Sequence, residues 1–159
     1  MDTTDRQLLD ALRSNARATY AELARVVGLS APAVHERVSK LESNGVITGY
    51  HAAVAPESLG YSMSALIGVN MSDNADVDAV ASALASVVQV EDLWLVAGDE
   101  SYIAKVRVAD IGGLGVAMRA VNDVPGVRST KTTVVIETKF EGRVQSADTT
   151  KAEDFERAD

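Results

Sequence analysis

Two short amphipathic segments joined by a tight turn constrain the fold of this chain more than any other feature. Thr19 and Glu22 have the spacing of a capping box, in which a hydroxyl and a carboxylate satisfy free N–H groups at the start of a helix. Gly28 suits the left-handed position that ends this helix, and Ser30 and Pro32 suit the N-cap and first turn of the next. Two helices joined by so short a turn are typical of a helix-turn-helix.

The segments on either side extend this pair into a larger module. Thr4 and Gln7 also have capping-box spacing and precede a leucine stripe, which predicts a first helix. Residues 46–54 are rich in β-forming side chains and are interrupted by Gly49, which predicts a small wing hairpin. Residues 1–54 are therefore predicted to form a winged helix-turn-helix.

The remainder of the chain has a different pattern. Residues 55–61 have the composition of a linker, and strand-like and helix-like segments then follow in the order β-α-β-β-α-β. The strands are predicted at residues 64–71, 90–96, 101–108 and 127–140, and the helices at 76–88 and 112–121. This order is that of a ferredoxin-like split βαβ domain, here at residues 62–140. The predicted fold class is α+β, a winged helix-turn-helix joined to a ferredoxin-like βαββαβ domain.

The distribution of charge separates the two parts. The chain of 159 residues has a net charge of −8, of which residues 1–60 carry −1 and residues 61–159 carry −7. A near-neutral first part is compatible with a local basic face that neutralises nucleic-acid phosphates. Residues 141–159 carry −3 and few apolar side chains, which predicts a mobile acidic tail.

Composition also narrows the chemistry. The absence of cysteine excludes disulfides, thiolate metal sites and a cysteine nucleophile, and the two histidines, His35 and His51, lack metal-ligand spacing. The glycines of residues 112–115 have neither the lysine of a phosphate loop nor GxGxxG spacing. We therefore expect no enzyme activity, no catalytic residue, no metal and no cofactor. No signal peptide or long apolar run is found, so we expect a cytoplasmic protein without membrane association.

The third helix has two distinct faces. At about 100° per residue, Val34, Val38 and Leu41 share one side and are predicted to be buried, whereas Glu36 and Ser39 lie on the opposite side. In a helix-turn-helix this outward face enters the DNA major groove. Periodicity alone leaves an ordinary solvated face as the alternative.

Several stretches, in a fixed order, carry a more specific signal. They lie at residues 5–9, 15–19, 22–30, 34–42, 45–50, 96–102 and 124–130. In the first five, the chain resembles the Lrp/AsnC (feast/famine) transcription regulators of bacteria and archaea. In the last two, it resembles the effector-sensing domain of that family. The resemblance covers roughly residues 3–140.

The resemblance implies a transcriptional regulator that binds double-stranded DNA at palindromic promoter sites. The candidate DNA-binding residues lie in the third helix or in the segments that flank it: Arg17, Arg25, Ser30, Pro32, Ala33, His35, Glu36, Arg37, Ser39 and Lys40. Glu36 either accepts from a cytosine amino group or pairs with Lys40, and the pair is favoured. His35 either reads a base or is a bystander, and His51 is expected at the surface of the wing.

The resemblance also implies a small-molecule effector, with an amino acid as the expected class. Candidate residues lie in one hairpin turn and in the last strand: Ala97, Gly98, Asp99, Glu100, Ser101, Tyr102, Thr130 and Thr132. Carboxylates suit the ammonium of an amino acid, and hydroxyls suit its carboxylate. Ser101 stands where family members carry aspartate, so the ammonium is expected to depend on Asp99 or Glu100. Trp94 and Tyr102 are expected to house a large apolar side chain.

Self-association is expected from the strands. Residues 65–69 and 134–136 have few polar interruptions, and such sheets usually bury both faces. We expect the helices to cover one face and a second copy of the chain to cover the other, which would pair two DNA-binding units about a two-fold axis. The resemblance implies further assembly into octamers.

Two other functions remain open at this level. One is an architectural DNA-binding protein that needs no effector. The other is an amino-acid-sensing oligomerisation module whose helical part does not bind DNA.

Overall fold

The computed structural model describes residues 1–143, which divide into two compact units, one formed by Met1–Ala53 together with residues 140–143 and the other by Val54–Lys139. The first unit contains three helices, α1 (Thr3–Ser14), α2 (Tyr20–Val27) and α3 (Ala31–Ser43). Their inward side chains form one apolar core, made by Leu8, Leu12, Leu23, Ala24, Val34 and Val38. Most of the predicted tail lies outside the described residues.

The turn between α2 and α3 forms as its sequence predicts. The N–H of Thr19 donates to Glu22 Oε2 at 2.7 Å, and the N–H of Glu22 donates back to Thr19 Oγ1 at 3.2 Å. Gly28 has a φ of 68°, a left-handed conformation that glycine adopts without steric cost. Ser30 then caps α3, because its Oγ accepts the N–H of Ala33 at 3.4 Å.

The predicted cap of α1 is wrong. Thr4 lies inside the helix, and the capping box is formed by Asp2 and Asp5. The N–H of Asp5 donates to Asp2 Oδ1 at 2.8 Å, and the N–H of Asp2 donates to Asp5 Oδ2 at 3.1 Å. A carboxylate at the N-cap and another in the first turn also interact favourably with the positive end of the helix dipole, which threonine and glutamine would not do.

The predicted wing hairpin is also not formed, since residues 46–55 contain no strand. The N–H groups of Val46 and Ile47 both donate to the carbonyl oxygen of Leu41, at 2.9 and 3.1 Å. Further along, the hydroxyl of Tyr50 donates to Glu42 Oε1 at 2.8 Å. The segment therefore folds back on the end of α3, and these hydrogen bonds replace the cross-strand pairing of a hairpin.

The second unit has the predicted βαββαβ order. After a 3₁₀ turn at Pro56–Leu59, its elements are β1 (Met63–Met71), α4 (Val77–Ala85), β2 (Val90–Leu95), β3 (Tyr102–Val108), α5 (Ile111–Asn122) and β4 (Val127–Val135). The sheet is antiparallel with strand order β2-β3-β1-β4, which is the ferredoxin-like arrangement.

No helix in residues 1–143 is long and apolar enough to cross a membrane.

The last strand ends at Val135, five residues earlier than predicted. Val135 pairs with Ser64, and β1 begins only one residue before Ser64, so residues beyond 135 have no neighbouring strand on which to continue the ladder.

Strand alternation gives the sheet two different faces. Directly opposite residues of antiparallel strands project to the same side. The side beneath the helices is fully apolar at its centre, where Ala65, Ile67, Val69, Ala104 and Val106 are completely buried. The other side, called here the open face, carries Leu66, Trp94, Ile103, Lys105, Arg107 and Val135.

Candidate nucleic-acid interface and effector site

Helix α3 presents a polar surface because its apolar side chains are buried in the core of the first unit. Val34, Val38 and Leu41 are at most 5% exposed and fix the rotation of the helix. Among the predicted DNA-binding residues of α3, Pro32, His35, Glu36 and Lys40 are exposed, and Ala33 and Ser39 are half-buried. The arrangement leaves a surface of hydroxyl, imidazole, carboxylate and ammonium groups pointing away from the unit.

Arg37 differs from the other predicted contacts, because it is engaged by α1. Its Nη1 lies 2.8 Å from Asp2 Oδ2 and 2.8 Å from Asp5 Oδ1. These hydrogen bonds raise the pKa of Arg37 above its usual value. The pKa of Asp2 is lowered, first by the N–H of Asp5 and then by Arg37. One guanidinium nitrogen therefore bridges two carboxylates.

The favoured pairing of Glu36 with Lys40 is wrong, because no ion pair joins them in the described part of the chain. Both side chains are exposed and line a groove of about 650 Å³ between the start of α1 and the side of α3. Asp2, Asp5 and Arg37 line the same groove. The Lys40 ammonium and the Glu36 carboxylate thus both remain available to a ligand.

Two tyrosines, Tyr20 and Tyr50, contact side chains of α3, and neither was singled out from the sequence. The ring of Tyr20 meets that of His35 edge-on, with centroids 4.9 Å apart. Burial and the hydrogen bond to Glu42 raise the pKa of Tyr50 to about 12. Tyr20 is the first residue of α2 and follows the capping threonine, Thr19. This position at the helix start is the only feature of the sequence that could have drawn attention to Tyr20. His35 therefore has a packing partner in addition to its exposed edge.

The remaining predicted contacts flank α3. Arg17 lies in the connection between α1 and α2, where its N–H donates to Asn15 Oδ1 at 3.0 Å, and Arg25 lies in the last turn of α2. Both side chains are exposed. Ser30 is exposed at the start of α3, and its hydroxyl hydrogen is not used by the cap.

In the second unit, the predicted effector turn is tied to the central strand. The N–H of Ser101 donates to the carbonyl oxygen of Val69 at 2.9 Å, and Ser101 Oγ accepts the N–H of Met71 at 3.3 Å. The N–H of Val96 donates to the carbonyl oxygen of Ser101 at 3.0 Å, which closes the turn. Ser101 therefore positions the hairpin, whereas Ala97, Gly98 and Asp99 at its tip are exposed.

Glu100 lies across the open face of the sheet. A Cβ placed on Gly68 would be 2.7 Å from Glu100 Cγ, so the absence of a side chain at Gly68 is what allows Glu100 to lie there. Gly68 pairs with Ile103 on one side and with Lys131 on the other. The half-buried carboxylate of Glu100 thus lies over Gly68, and the exposed Lys131 lies beside Gly68 on the neighbouring strand.

The other predicted effector residues lie on the opposite side of the sheet. Tyr102 is 3% exposed, and its hydroxyl donates to the carbonyl oxygen of Val77 at 2.7 Å. Thr130 and Thr132 pair with Val69 and Ile67 and project towards the helices. Within the described residues, the buried Oγ1 of Thr132 has no hydrogen-bond partner. The predicted effector residues 97–101 thus lie together in the turn, whereas Tyr102 and the two threonines project to the other face of the sheet.

Trp94 and Tyr102 do not form the expected apolar compartment. Trp94 pairs with Ile103 and lies on the open face, 47% exposed, whereas Tyr102 points into the core. The bulge in β2 between Val90 and Asp92 shifts the register of this strand and sets the side on which Trp94 projects.

Comparison with known proteins decides the family. Residues 1–42 match the AsnC-type helix-turn-helix domain, and residues 64–145 match the Lrp/AsnC ligand binding domain. The chain belongs to the Lrp/AsnC family. It is 37% identical to the HTH-type transcriptional regulator LrpA of Mycobacterium tuberculosis over 143 residues, which cover 90% of this chain and 95% of the relative.

Other Lrp/AsnC proteins are similar over nearly their whole length. The regulatory protein AsnC of Escherichia coli K12 is 33% identical over 138 residues, covering 86% of this chain and 91% of the relative. The solved structure of the M. tuberculosis feast or famine regulatory protein complexed with L-methionine superposes with a TM-score of 0.85 at 36% identity, covering 91% of this chain and 98% of that one. This chain is thus an Lrp/AsnC transcriptional regulator with a DNA-binding unit and a ligand-binding unit.

Proposed function

We propose that this regulator reads double-stranded DNA with the outward face of α3, at promoter sites with two-fold symmetry. The observation that carries the proposal is the rotation of α3, in which three buried side chains leave Lys40, Ser39 and Glu36 directed away from the unit. A helix of this kind enters the major groove with its exposed side chains against base edges.

The exposed groups divide into two roles. Three cationic side chains form no ion pair with a carboxylate among residues 1–143: Lys40, Arg17 and Arg25. We assign them to DNA phosphates. Ser39 and Glu36 are assigned to base edges, with Glu36 accepting from a cytosine amino group, since it is not neutralised by Lys40. His35, supported by Tyr20, lies beside them.

The small-molecule effector is assigned to the hairpin at residues 97–100. Glu100 supplies a carboxylate for an ammonium group, and Lys131, across Gly68, supplies a cation for a carboxylate. This pair of charges suits an α-amino acid. The solved structure of a relative complexed with L-methionine supports the same ligand class.

Self-association is assigned to the open face of the sheet. Leu66 and Trp94 are 37% and 47% exposed there, and Ile103 lies between them in the sheet. Lys105 and Arg107 on the same face are already engaged by Glu91, at 2.8 and 3.0 Å. A second copy placed on this face would form a two-fold dimer and supply two DNA-reading helices, with octamers as the larger assembly. We expect a DNA-binding regulator of this kind to act in the cytoplasm. No catalytic residue is assigned.

Selection of duplexes from a random pool tests the proposal. The full chain is incubated with the pool, with and without each of the twenty amino acids, and bound DNA is sequenced. The expected result is a symmetric motif whose enrichment changes with at least one amino acid. Failure to enrich any sequence would contradict DNA reading, and enrichment that no amino acid alters would indicate an effector-independent architectural protein.

A further inference from the structure

The Asp2–Asp5–Arg37 cluster is unusual in its position. Arg37 lies on α3 one turn before Lys40, and both side chains line the groove beside α1. An arginine at such a place is a ready phosphate contact, because its side chain is long and its fork matches phosphate oxygens. Here both hydrogen bonds of its Nη1 go to carboxylates of α1.

The two ion pairs of this cluster differ in burial. The side chains of Arg37 and Asp2 are 37% and 53% exposed, and an ion pair at such a surface position contributes little to folding, whereas Asp5 is 16% exposed and holds Arg37 more firmly. The larger effect concerns charge. The guanidinium and the two carboxylates sum to −1, so Arg37 offers no net positive charge while it is held by them next to the proposed DNA surface.

We propose that Asp2 and Asp5 hold Arg37 away from DNA phosphates and thereby limit the affinity of α3 for DNA of every sequence. Phosphate contacts increase affinity for every sequence equally, whereas base contacts discriminate between sequences. Withdrawing one arginine from the phosphates therefore lowers the affinity for all duplexes by a similar factor and leaves base reading unchanged. Asp2 and Asp5 act through Arg37 and are positioning residues. This inference rests on the proposed function, since it presumes that α3 binds DNA.

The double variant D2N/D5N tests the inference with little change in shape. Asparagine caps a helix as well as aspartate does, so α1 keeps its N-terminus while both charges are removed. Binding is measured by fluorescence anisotropy on a random-sequence duplex and on the duplex selected by the wild type. We expect higher affinity for both, a steeper salt dependence by about 0.9 in log–log slope, and therefore an additional loss of about 3- to 4-fold between 50 and 200 mM salt. The ratio of specific to random affinity is expected to stay at the wild-type value, because a phosphate contact adds the same factor to both.

Two further variants separate release of Arg37 from a change in net charge or in folding. D10N removes a carboxylate from the same helix without touching the Arg37 pairs, and it should leave the salt slope at the wild-type value. Adding R37Q to D2N/D5N should abolish the gain on random DNA, although a merely structural effect of the aspartates would persist in the triple variant.

The outcomes are distinguishable. An unchanged slope in D2N/D5N, or the same increase in the triple variant, would overturn the inference while leaving DNA reading intact. A wild type that binds neither duplex would instead overturn the proposed function.

Discussion

Leu66 and Ile67 are consecutive residues of β1 that belong to different surfaces of the protein. Ile67 is completely buried beneath the helices, and Leu66 is 37% exposed on the open face. Strand alternation imposes this division, since successive side chains project to opposite sides of a sheet. The pair therefore offers a direct test of which face supports folding and which supports assembly.

Lysine substitutions at these two positions are expected to have different consequences. Ile67→Lys places an unpaired charge in a closed core, which is costly enough to prevent folding of the second unit. Leu66→Lys leaves the core intact, and we expect a folded protein that no longer dimerises. Circular dichroism and analytical ultracentrifugation separate the two results. A Leu66→Lys variant that is folded and still dimeric would move the interface away from the open face.

Lys40→Ala is expected to weaken DNA binding by a similar factor on all sequences. Loss of one phosphate contact should flatten the log–log salt dependence by about 0.9. Lys139→Ala, which removes an exposed lysine of the second unit next to Glu137, is the matched control for the change in charge. Equal salt slopes for the wild type and Lys40→Ala would contradict the assignment of Lys40 to a phosphate.

Ser39→Ala supplies the complementary measurement. If the Ser39 hydroxyl meets a base edge, its removal should change the preferred sequence more than the total affinity. Duplex selection with the variant reports the preference directly. A motif identical to that of the wild type would place Ser39 outside the base-reading set.

Tyr50 should titrate later than an ordinary tyrosine. Its pKa of about 12 exceeds the usual 10.0, because of burial and the hydrogen bond to Glu42. The stabilisation by neutral Tyr50 is therefore fully present below pH 10 and is lost as the pH rises towards 12. Ultraviolet titration of tyrosinate should detect this late group, which Tyr50→Phe removes and Glu42→Gln shifts downward. A Glu42→Gln titration identical to that of the wild type would contradict the observed contact.

Glu100 and Asp99 are expected to contribute unequally to effector binding. Glu100 is half-buried over Gly68, whereas Asp99 is exposed at the tip of the turn. Glu100→Gln should weaken binding of the amino acid by about 1.5–3 kcal/mol, as for loss of a charged hydrogen bond, and Asp99→Asn should have a smaller effect. Isothermal titration calorimetry measures both. Equal losses would indicate that the ammonium is shared between the two carboxylates.

Local sequence rules predict those parts of this fold that local interactions determine. The Thr19–Glu22 capping box, the turn at Gly28 and the alternation of β3 all form as expected, because each depends on residues within a few positions. The wing prediction fails because β propensity does not account for the hydrogen bonds from Val46 and Ile47 back to α3.

The candidate sites were harder to predict, because their geometry depends on distant partners. Periodicity places Arg37 at the edge of a helix face but contains no information about Asp2, 35 residues away. Likewise, Tyr102 follows the effector turn directly in sequence, yet strand alternation directs it into the core, where it bonds to Val77. A list of adjacent residues becomes a site only when the side of the sheet on which each projects is known.

The contact between Gly68 and Glu100 also limits how this protein can diverge. Any side chain that arises at position 68 must first displace Glu100, so mutations at these two positions are expected to be non-additive. A change of Glu100 to a smaller residue opens the way for a larger residue at 68, whereas in the reverse order the new side chain has to displace Glu100. Among descendants of this sequence, the strand position and the turn position should therefore vary together, with the turn changing first.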